Sequence, residues 1–429
     1  MGKVNLQPIT SVISGSIEVP GDKSISHRAV MFGSMAKGTT TITNFLDGED
    51  CLHTIDAFRS LGVSIEVSGT TVTIKSEGLN SFKEAKTPLY FGNSGTTARL
   101  MIGLLAGLPM MTVIYGDPFL TERPMDRVIN PLKRMGANID GRDQGKLLPL
   151  AIKGQQLSGI NYTLPVKSAQ VKSAILLAGL LADGKTTVIE KTKTRDHTEN
   201  MLDAFGADIV VSGNEVTISN KQTLQALDVH VPGDISSAAF LLVAAAIVPG
   251  SELTLQNVGL NETRSGIIDV LMNMGANIQI SNKKVHSGEQ SGDITITYTK
   301  LSGTTISGDI IPRLIDELPI IALLATQAEG TTTITDAEEL RVKETDRIDA
   351  VVDVLSTLGA QIQPTEDGMI IKGKTSLTGG EISSYNDHRI AMMGAVASLI
   401  ASDQVVLDDD SSIAVSYPNF FQDLQQIIR

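Results

Sequence analysis

The chain has 429 residues, of which 41% are apolar and 19% charged, with a formal net charge of -13 and a single cysteine, Cys51. This length suits two domains rather than one core, and the acidic balance argues against a nucleic-acid-binding surface. A single cysteine excludes an internal disulfide, and the N-terminus lacks the apolar core of a signal peptide. No apolar run is long enough to span a bilayer, so the sequence predicts a cytoplasmic protein.

A helix-ending phrase recurs along the chain, and each copy predicts an amphipathic helix that stops at a glycine and is followed by a strand. The copies are Leu61-Gly62-Val63, Met135-Gly136-Ala137, Phe205-Gly206-Ala207, Met274-Gly275-Ala276 and Leu358-Gly359-Ala360. A further amphipathic helix, Asn419 to Ile428, ends the chain without closing strands. The segment Val4 to Val19 could supply them, which would bring both termini into one domain.

A second phrase combines a polar start, an Ala- and Leu-rich helix and a β-rich strand. Helices that are apolar nearly all round belong inside a domain, and repeats of this length predict stacked supersecondary units. The six copies are Ser24 to Ile42, Ser94 to Ile114, Ser168 to Ile189, Ser236 to Leu255, Asp316 to Ile334 and Asp387 to Leu407.

The phrase Val19-Pro20-Gly21-Asp22 returns half a chain later as Val231-Pro232-Gly233-Asp234. One Pro-Gly pair alone would indicate only a turn. Two copies at this spacing favour a pair of hinge crossings between two domains of three units each.

The polar starts of the predicted buried helices combine hydroxyls with cations. Backbone N–H groups at a helix start attract anions, and Lys or Arg adds charge-assisted hydrogen bonds. If the units are arranged alike, the starts face one cleft and place Lys23, Arg28, Lys172 and Arg389 around a shared anionic ligand. Ordinary N-caps would explain a Ser or Asp at any one start, but they do not explain the embedded cations.

Two more basic phrases fall in connecting segments, Thr121 to Arg127 and Leu340 to Arg347. In the second, Lys343 and Arg347 are four residues apart and are predicted to share a helix face, with Glu344 beside Lys343. A solvated helix with surface ion pairs is the alternative explanation.

Together these phrases resemble the motifs of the 5-enolpyruvylshikimate-3-phosphate (EPSP) synthase family, in the family's order. The matching segments are Gly21 to Ser24, Gly92 to Thr96, Glu122 to Pro124, Ser168 to Gln170, Arg341 to Arg347 and Tyr385 to Arg389. The resemblance implies an α/β (α+β) fold, a two-domain inside-out barrel of six βαβαββ units with three per domain. One domain would contain residues 1–20 and 233–429 and the other residues 21–232, with the active site in the interdomain cleft.

The resemblance also implies the reaction, in which the enolpyruvyl group of phosphoenolpyruvate (PEP) passes to the 5-hydroxyl of shikimate 3-phosphate and phosphate is released. This transferase serves the shikimate pathway to chorismate and the aromatic amino acids. The resemblance further implies a monomer that uses no metal and no organic cofactor, and that has neither nucleic-acid nor membrane partners. Substrate binding is expected to close the domains about hinges near Pro20 and Pro232, and scattering that shows no compaction would count against this.

Individual roles follow from the resemblance. Asp316 would be the base for the hydroxyl, kept ionised by neighbouring cations, and Glu344, helped by Lys23, would handle the proton on the PEP methylene. Lys343 would lie between the two substrates. Shikimate 3-phosphate would be held by Lys23, Ser24, Arg28, Ser168, Ala169, Gln170, Arg195, Asp316 and Lys343. PEP would be held by Lys23, Gly95, Thr96, Arg123, Gln170, Arg347 and Arg389.

Some phrases resemble a branch of the family that includes glyphosate-tolerant members. They are Ser168 to Lys172, Arg195 to Glu199 and Asn261 to Arg264. Gly95 departs from the best-known tolerant pattern, which has Ala at this position. Residues 408–412 depart from the commoner branch, because they lack the Lys that this branch carries near PEP. The resemblance implies weakened inhibition by glyphosate.

Two alternatives remain open. UDP-N-acetylglucosamine enolpyruvyl transferase shares the fold and PEP, but its usual loop cysteine precedes the phrase corresponding to Glu122-Arg123-Pro124, whereas Cys51 is predicted to be a structural thiol. A non-catalytic binding module built from repeats would have similar helix starts, whereas these starts differ from one another. The histidines show no paired metal-ligand spacing.

Overall fold

The computed structural model describes residues 2–220 and 222–429, and the chain divides into two compact units. Unit 1 contains Met1–Pro20, Pro232–Lys284 and Gln290–Arg429, and unit 2 contains Gly21–Val231 and Val285–Glu289. The division places Pro232 in unit 1 and the tip of one hairpin, residues 285–289, in unit 2.

Each unit is built around buried helices, as predicted from their apolar composition. The described part of unit 2 contains three of them, Lys23–Met35, Gly95–Ala106 and Ala169–Gly179. The last two helices pack so closely that a Cβ at Gly103 would lie 2.1 Å from the carbonyl oxygen of Ala174. Only glycine allows the helix backbones to approach this far.

Unit 1 has the same arrangement in its described residues. Its three central helices are Ile235–Ile247, Leu318–Thr326 and His388–Ser398. Every residue of these helices is buried, as expected of helices without a polar face.

The predicted amphipathic helices form, and the glycine phrases end all of them except the C-terminal one. They are Glu49–Ser60, Asp126–Arg134, His197–Ala204, Gly266–Asn273, Arg347–Thr357 and, at the C-terminus, Phe420–Ile427. Gly62 adopts φ +90°, which lets the Val63 N–H donate back to the Phe58 carbonyl at 3.0 Å. The same left-handed glycine and hydrogen bond recur at the other four phrases, so this prediction is confirmed.

The strands and helices alternate as repeated βαβαββ units, which confirms the predicted fold class. In one βαβαββ repeat of unit 2, Leu89–Tyr90 pairs in parallel with Met111–Tyr115. In the same repeat, Leu147–Lys153 pairs antiparallel with both Met111–Tyr115 and Asn138–Gly141. Other sheets of unit 2 contain Val229–His230, Lys37–Thr43, Thr71–Glu77 and Ser64–Ser68, and then Asn161–Thr163, Thr186–Ile189, Glu215–Ile218 and Ile209–Ser212. The short strands Leu157–Ser158 and Ala182–Asp183 form a parallel pair.

The sheets of unit 1 use strands from distant parts of the chain. One contains Thr305–Ile306, Gly330–Ile334, Met369–Gly373 and Gln361–Pro364, and another contains Asn277–His286, Glu289–Thr297, Glu252–Gly259 and Ser14–Glu18. A third contains Val4–Leu6, Val405–Leu407 and Gly380–Ile382.

The N-terminal segment is divided between two of these sheets. Val4–Leu6 pairs antiparallel with Val405–Leu407, so it supplies a closing strand for the last unit as predicted. Ser14–Glu18 instead pairs in parallel with Glu252–Gly259. The prediction was therefore wrong for the second strand, because the segment before the first Pro-Gly phrase completes a different sheet. In the described residues, no helix is long and apolar enough to cross a membrane.

Candidate active site

The predicted site residues fall into two clusters, one in each unit. Unit 2 contains Lys23, Ser24, Arg28, Gly95, Thr96, Arg123, Ser168, Ala169, Gln170 and Arg195. Unit 1 contains Asp316, Lys343, Glu344, Arg347 and Arg389.

In unit 2 the first buried helix begins at Lys23, which is predicted to bind both substrates. The Asp22 side chain caps this helix by accepting from the Ile25 N–H at 2.9 Å. Lys23 is the first helical residue, and its Nζ donates to Asp50 Oδ2 at 3.2 Å. Its side chain is 21% exposed, so the ammonium is anchored and still reachable by a ligand.

Arg28 lies one turn further along and has only neutral hydrogen-bond partners among its described contacts. Its Nε donates to Thr198 Oγ1 at 2.8 Å, Nη1 to the Ser24 carbonyl at 3.0 Å and Nη2 to Ser173 Oγ at 3.0 Å. Burial lowers the pKa of Arg28 to about 10, so the group still carries its charge at neutral pH. A buried cation bonded to neutral groups is well prepared to bind an anion.

The starts of the second and third helices are joined by Gln170. Its Nε2 donates to Thr96 Oγ1 at 3.0 Å, and its Oε1 accepts from Arg99 Nη1 at 2.6 Å. Arg99 was not among the predicted site residues. Its position four residues after Gly95 places both on one helix face and could have identified it.

The remaining predicted residues of unit 2 lie at helix starts or in the loops before them. Ser168 caps its helix by accepting from the Val171 N–H at 3.4 Å, and Ala169 is the first helical residue. Arg123 Nη1 donates to the Asn93 carbonyl at 3.5 Å. Arg195 is half-buried just before the helix that carries Thr198.

Lys172 does not join this cluster, and the sequence prediction was wrong there. Its side chain is fully buried, with Nζ at 2.8 Å from Glu190 Oε2 and 2.6 Å from Glu199 Oε1. These two ion pairs satisfy the ammonium inside the unit. Lys172 therefore stabilises the loop around Thr194, whose carbonyl accepts from Nζ at 3.5 Å.

In unit 1 the central residue is Asp316, which precedes the helix Leu318–Thr326. Glu317 occupies the capping position, and no side chain caps the helix. The Oδ1 of Asp316 lies 3.2 Å from Arg347 Nη1 and 3.6 Å from Lys343 Nζ. The carboxylate is thus held by two cations rather than by its own helix.

Arg347 connects Asp316 to the other acidic residues of unit 1. Its Nη2 donates to Glu344 Oε2 at 2.6 Å, and its Nε donates to Asp387 Oδ2 at 2.7 Å. Burial alone would lower the pKa of Arg347, but Asp387, Glu344 and Asp316 together raise it above its ordinary value. This guanidinium holds three carboxylates in fixed positions.

Arg389 is the second residue of a helix capped by Asp387, whose Oδ1 accepts from the Arg389 N–H at 2.8 Å. Its Nη1 donates to the Asp316 carbonyl at 3.0 Å. The structure therefore groups Arg389 with the predicted residues of unit 1.

Lys343 and Arg347 do not share a helix face, contrary to the prediction. Asp346 caps the helix Arg347–Thr357 by accepting from the N–H groups of Ile348 and Asp349. The cap excludes Lys343 from the helix, and this lysine follows the short 3₁₀ segment Glu338–Val342. Both cations nevertheless reach Asp316.

Each cluster has a distinct chemical capacity. The cluster of unit 2 can bind phosphate and carboxylate through cations, hydroxyls and helix N–H groups. The cluster of unit 1 adds carboxylates that can accept and return protons beside cations that stabilise their charge. Cys51 is buried in the helix Glu49–Ser60, which agrees with its predicted structural role.

Comparisons with known proteins agree with this chemistry. A family model described as EPSP synthase (3-phosphoshikimate 1-carboxyvinyltransferase) matches residues 8–424. A protein of that enzyme name from Oceanobacillus iheyensis is 60% identical over 429 residues and is covered, like this chain, over 100% of its length. Another from Bacillus pumilus is 56% identical over 418 residues, 97% of this chain and 98% of the relative.

Solved structures show the same likeness. An EPSP synthase from Acinetobacter baumannii superposes with a TM-score of 0.91 at 44% identity, covering 100% of this chain and 98% of that one. The enolpyruvyl transferase NikO from Streptomyces tendae has a TM-score of 0.82 at 18% identity, covering 99% and 97% respectively, which shows a shared fold alone. The chain therefore belongs to the EPSP synthase family.

Proposed function

We propose that the protein transfers the enolpyruvyl group of PEP to the 5-hydroxyl of shikimate 3-phosphate, giving 5-enolpyruvylshikimate 3-phosphate and phosphate. The observation that carries the proposal is the placement of Asp316, a carboxylate outside its helix and within 3.2 Å of Arg347 and 3.6 Å of Lys343. A base beside cations suits a reaction in which a hydroxyl is deprotonated among anionic substrates. Full-length relatives with this enzyme name support the same activity.

Shikimate 3-phosphate is proposed to bind mainly through the cluster of unit 2. Arg28 is the principal cation for its phosphate or carboxylate, since its described partners are neutral. The other proposed contacts in unit 2 are Lys23, Ser24, Ser168, Ala169, Gln170 and Arg195. Asp316 and Lys343 of unit 1 complete the set, so the proposed contacts come from both units.

PEP is proposed to use cations from both units. Gly95, Thr96, Arg123 and Gln170 contribute from unit 2, and the contacts already described among Thr96, Gln170 and Arg99 support this grouping. Arg347 and Arg389 contribute from unit 1, and Lys23 serves both substrates.

The proposed chemistry is an addition followed by an elimination. Asp316 accepts the proton of the 5-hydroxyl while the hydroxyl oxygen bonds to C2 of PEP. Glu344, assisted by Lys23, delivers a proton to the PEP methylene. In the elimination Glu344 takes a proton from the new methyl group, the C–O bond to phosphate breaks, Asp316 returns its proton to the departing phosphate and the enol ether forms. The sequence of steps is redox-neutral and needs no oxidant or reductant.

The test is to mix the purified protein with PEP and either shikimate 3-phosphate or UDP-N-acetylglucosamine and follow phosphate release. Release only with shikimate 3-phosphate, lost in Asp316→Ala and in Lys23→Met, supports the activity and its two key residues. Release only with the sugar nucleotide would replace the proposed acceptor. A folded sample that is silent with both acceptors would contradict the proposed transferase activity.

A further inference from the structure

Unit 1 contains a buried polar network that the proposed chemistry does not use. It starts at Arg264, in the phrase Asn261 to Arg264, which is only 3% exposed. The Nη2 atom of Arg264 donates to Asp234 Oδ1 at 3.2 Å and to Ser236 Oγ at 2.7 Å. The Ser236 hydroxyl in turn donates to Glu317 Oε1.

Glu317 connects this network to the substrate cluster of unit 1. The Oε1 atom that accepts from Ser236 also lies 4.0 Å from Arg389 Nη1. The same Arg389 nitrogen donates to the Asp316 carbonyl at 3.0 Å. One nitrogen of the guanidinium is thereby held between the carboxylate of Glu317 and the peptide group of Asp316.

The charge of Glu317 requires an explanation. Its side chain has no exposed surface, and a carboxylate in such a position is costly unless cations and donors compensate for its desolvation. A glutamine would still accept the hydrogen bond from Ser236 without that cost. For the substrate cluster, what the carboxylate adds is attraction for Arg389, one of the two PEP cations proposed for unit 1.

We propose that Glu317 is a positioning residue, which holds Arg389 in place to receive an anionic group of PEP and fixes the peptide of Asp316. Arg264 and Ser236 orient the carboxylate from behind. The inference rests on the proposed function, since it concerns the same site, and it adds three residues to the determinants of PEP affinity. Glu317 itself contacts neither substrate.

The direct test is Glu317→Gln, which keeps the shape of the side chain and removes its charge. We expect the KM for PEP to rise about tenfold or more, because Arg389 loses the carboxylate beside it and keeps only the Asp316 carbonyl among its described side-chain contacts. The dissociation constant for shikimate 3-phosphate alone, measured by calorimetry, should change by less than about twofold, because most of its proposed contacts lie in unit 2. The melting temperature should stay within about 3 °C of the wild type.

The Ser236 hydroxyl allows loss and rescue at one position. Ser236→Ala removes the hydrogen bond to Glu317 and should raise the KM for PEP about threefold to tenfold, whereas Ser236→Thr keeps a hydroxyl and should restore most of the affinity. Arg264→Lys should give a similar increase in KM without loss of the fold, because it preserves the buried charge while removing the planar guanidinium. Glu381→Gln is the matched control, since that side chain is 72% exposed and pairs with Lys3.

The outcomes separate the inference from the function on which it rests. A wild-type protein without transferase activity would overturn the proposed function. An active wild type whose Glu317→Gln variant keeps its KM for PEP would overturn the positioning role alone. Equal weakening of both substrates together with a lowered melting temperature would also overturn it, because that pattern indicates a purely structural residue.

Discussion

Two buried arginines, one in each unit, have opposite surroundings. Arg28 of unit 2 donates to two hydroxyls and a carbonyl, whereas Arg347 of unit 1 is paired with the carboxylates of Asp316, Glu344 and Asp387. Burial lowers the pKa of Arg28, while the three carboxylates outweigh burial and raise that of Arg347. Neutral groups orient the first cation, whereas the second arranges three acids in addition to its proposed contact with PEP.

The difference indicates a division of labour. Neutral partners orient a guanidinium without cancelling its field, which favours recognition of an anion. Carboxylates cancel that field but gain fixed positions beside a cation, which favours proton transfer. We therefore expect substitutions in unit 2 to weaken binding and those at the acids of unit 1 to slow turnover.

The largest effect is expected at Asp316, and it would sharpen the comparison most. Asp316→Asn keeps the size of the side chain and removes the base, so kcat should fall about 1,000-fold, within the range for general acid–base groups. The dissociation constant for shikimate 3-phosphate should change far less. Steady-state phosphate release and calorimetry measure the two quantities, with the exposed Asp353→Asn as control. A kcat within about threefold of the wild type would contradict the role of unit 1.

Lys172 of unit 2 differs from Arg28, because it is fully buried against two carboxylates and serves the fold. Lys172→Met leaves Glu190 and Glu199 buried without their cation, and burial already raises the pKa of Glu199. The free energy of unfolding should fall by about 3–5 kcal/mol, as is typical when one partner of a buried ion pair is removed.

Urea denaturation followed by circular dichroism measures this loss. Adding Glu190→Gln and Glu199→Gln to Lys172→Met should recover part of it, since no uncompensated charge then remains. A loss below about 1 kcal/mol for the single variant would show that the lysine is not structural.

Arg28 provides the complementary test of recognition. Arg28→Met should raise the dissociation constant for shikimate 3-phosphate about 100-fold, because a buried charge-assisted contact is lost. Arg28→Lys retains charge but not the planar fork, so its affinity should be intermediate. Calorimetry checks both variants. If kcat fell instead while the affinity stayed constant, the division of labour between the units would be broken.

Much of this architecture could be predicted from the sequence because its signals are local. A glycine after an amphipathic stretch ends a helix wherever it occurs, and a helix without a polar face is buried wherever it packs. The start of the helix at Arg347 also had a local signal, the capping Asp346, which the spacing argument overlooked.

The failures concern partners that are distant in sequence. Nothing near Lys172 indicates that Glu190 and Glu199 lie beside it rather than a ligand, since that depends on how a later loop folds back. Likewise, the partner of Ser14–Glu18 is a strand more than two hundred residues away. The resemblance grouped Asp316 with Lys343 and Arg347, whereas the role of Glu317 became apparent only from its contacts.

A smaller effect concerns pH and a buried histidine of unit 2. His27 is fully buried, with Nδ1 at 2.7 Å from Thr54 Oγ1, and burial lowers its pKa from 6.5 to about 3. Below pH 6.5 the His27 imidazole binds a proton in the unfolded chain, whereas in the folded protein it stays neutral down to about pH 3. This residue therefore removes stability as the pH falls through that window, by about 1.4 kcal/mol per pH unit.

Measured between pH 6 and 4, the stability of His27→Asn should depend less steeply on pH than that of the wild type, by about 1 kcal/mol per pH unit. The asparagine amide can replace the hydrogen bond at Nδ1 but does not titrate. Equal slopes for the two proteins would mean that His27 is protonated in the folded state, and unit 2 would then contain one more buried charge than the comparison allows.

The smallest effect is expected at Gly95, a proposed PEP contact at the start of the buried helix Gly95–Ala106. A Cβ at this position would lie 3.1 Å from Arg99 Nη1 and 3.4 Å from Arg123 Nη1, so both flexible guanidinium groups would have to shift slightly. Gly95→Ala should cost about 1 kcal/mol, or about fivefold in the KM for PEP, and should weaken the longer inhibitor glyphosate more than PEP. Inhibition curves at PEP concentrations near each KM measure the difference. If Gly95→Ala lost the same affinity for PEP and for glyphosate, the methyl group would be disturbing the arginines of unit 2 rather than the space beyond them. Inhibition of the wild type at low micromolar glyphosate would refute its expected tolerance.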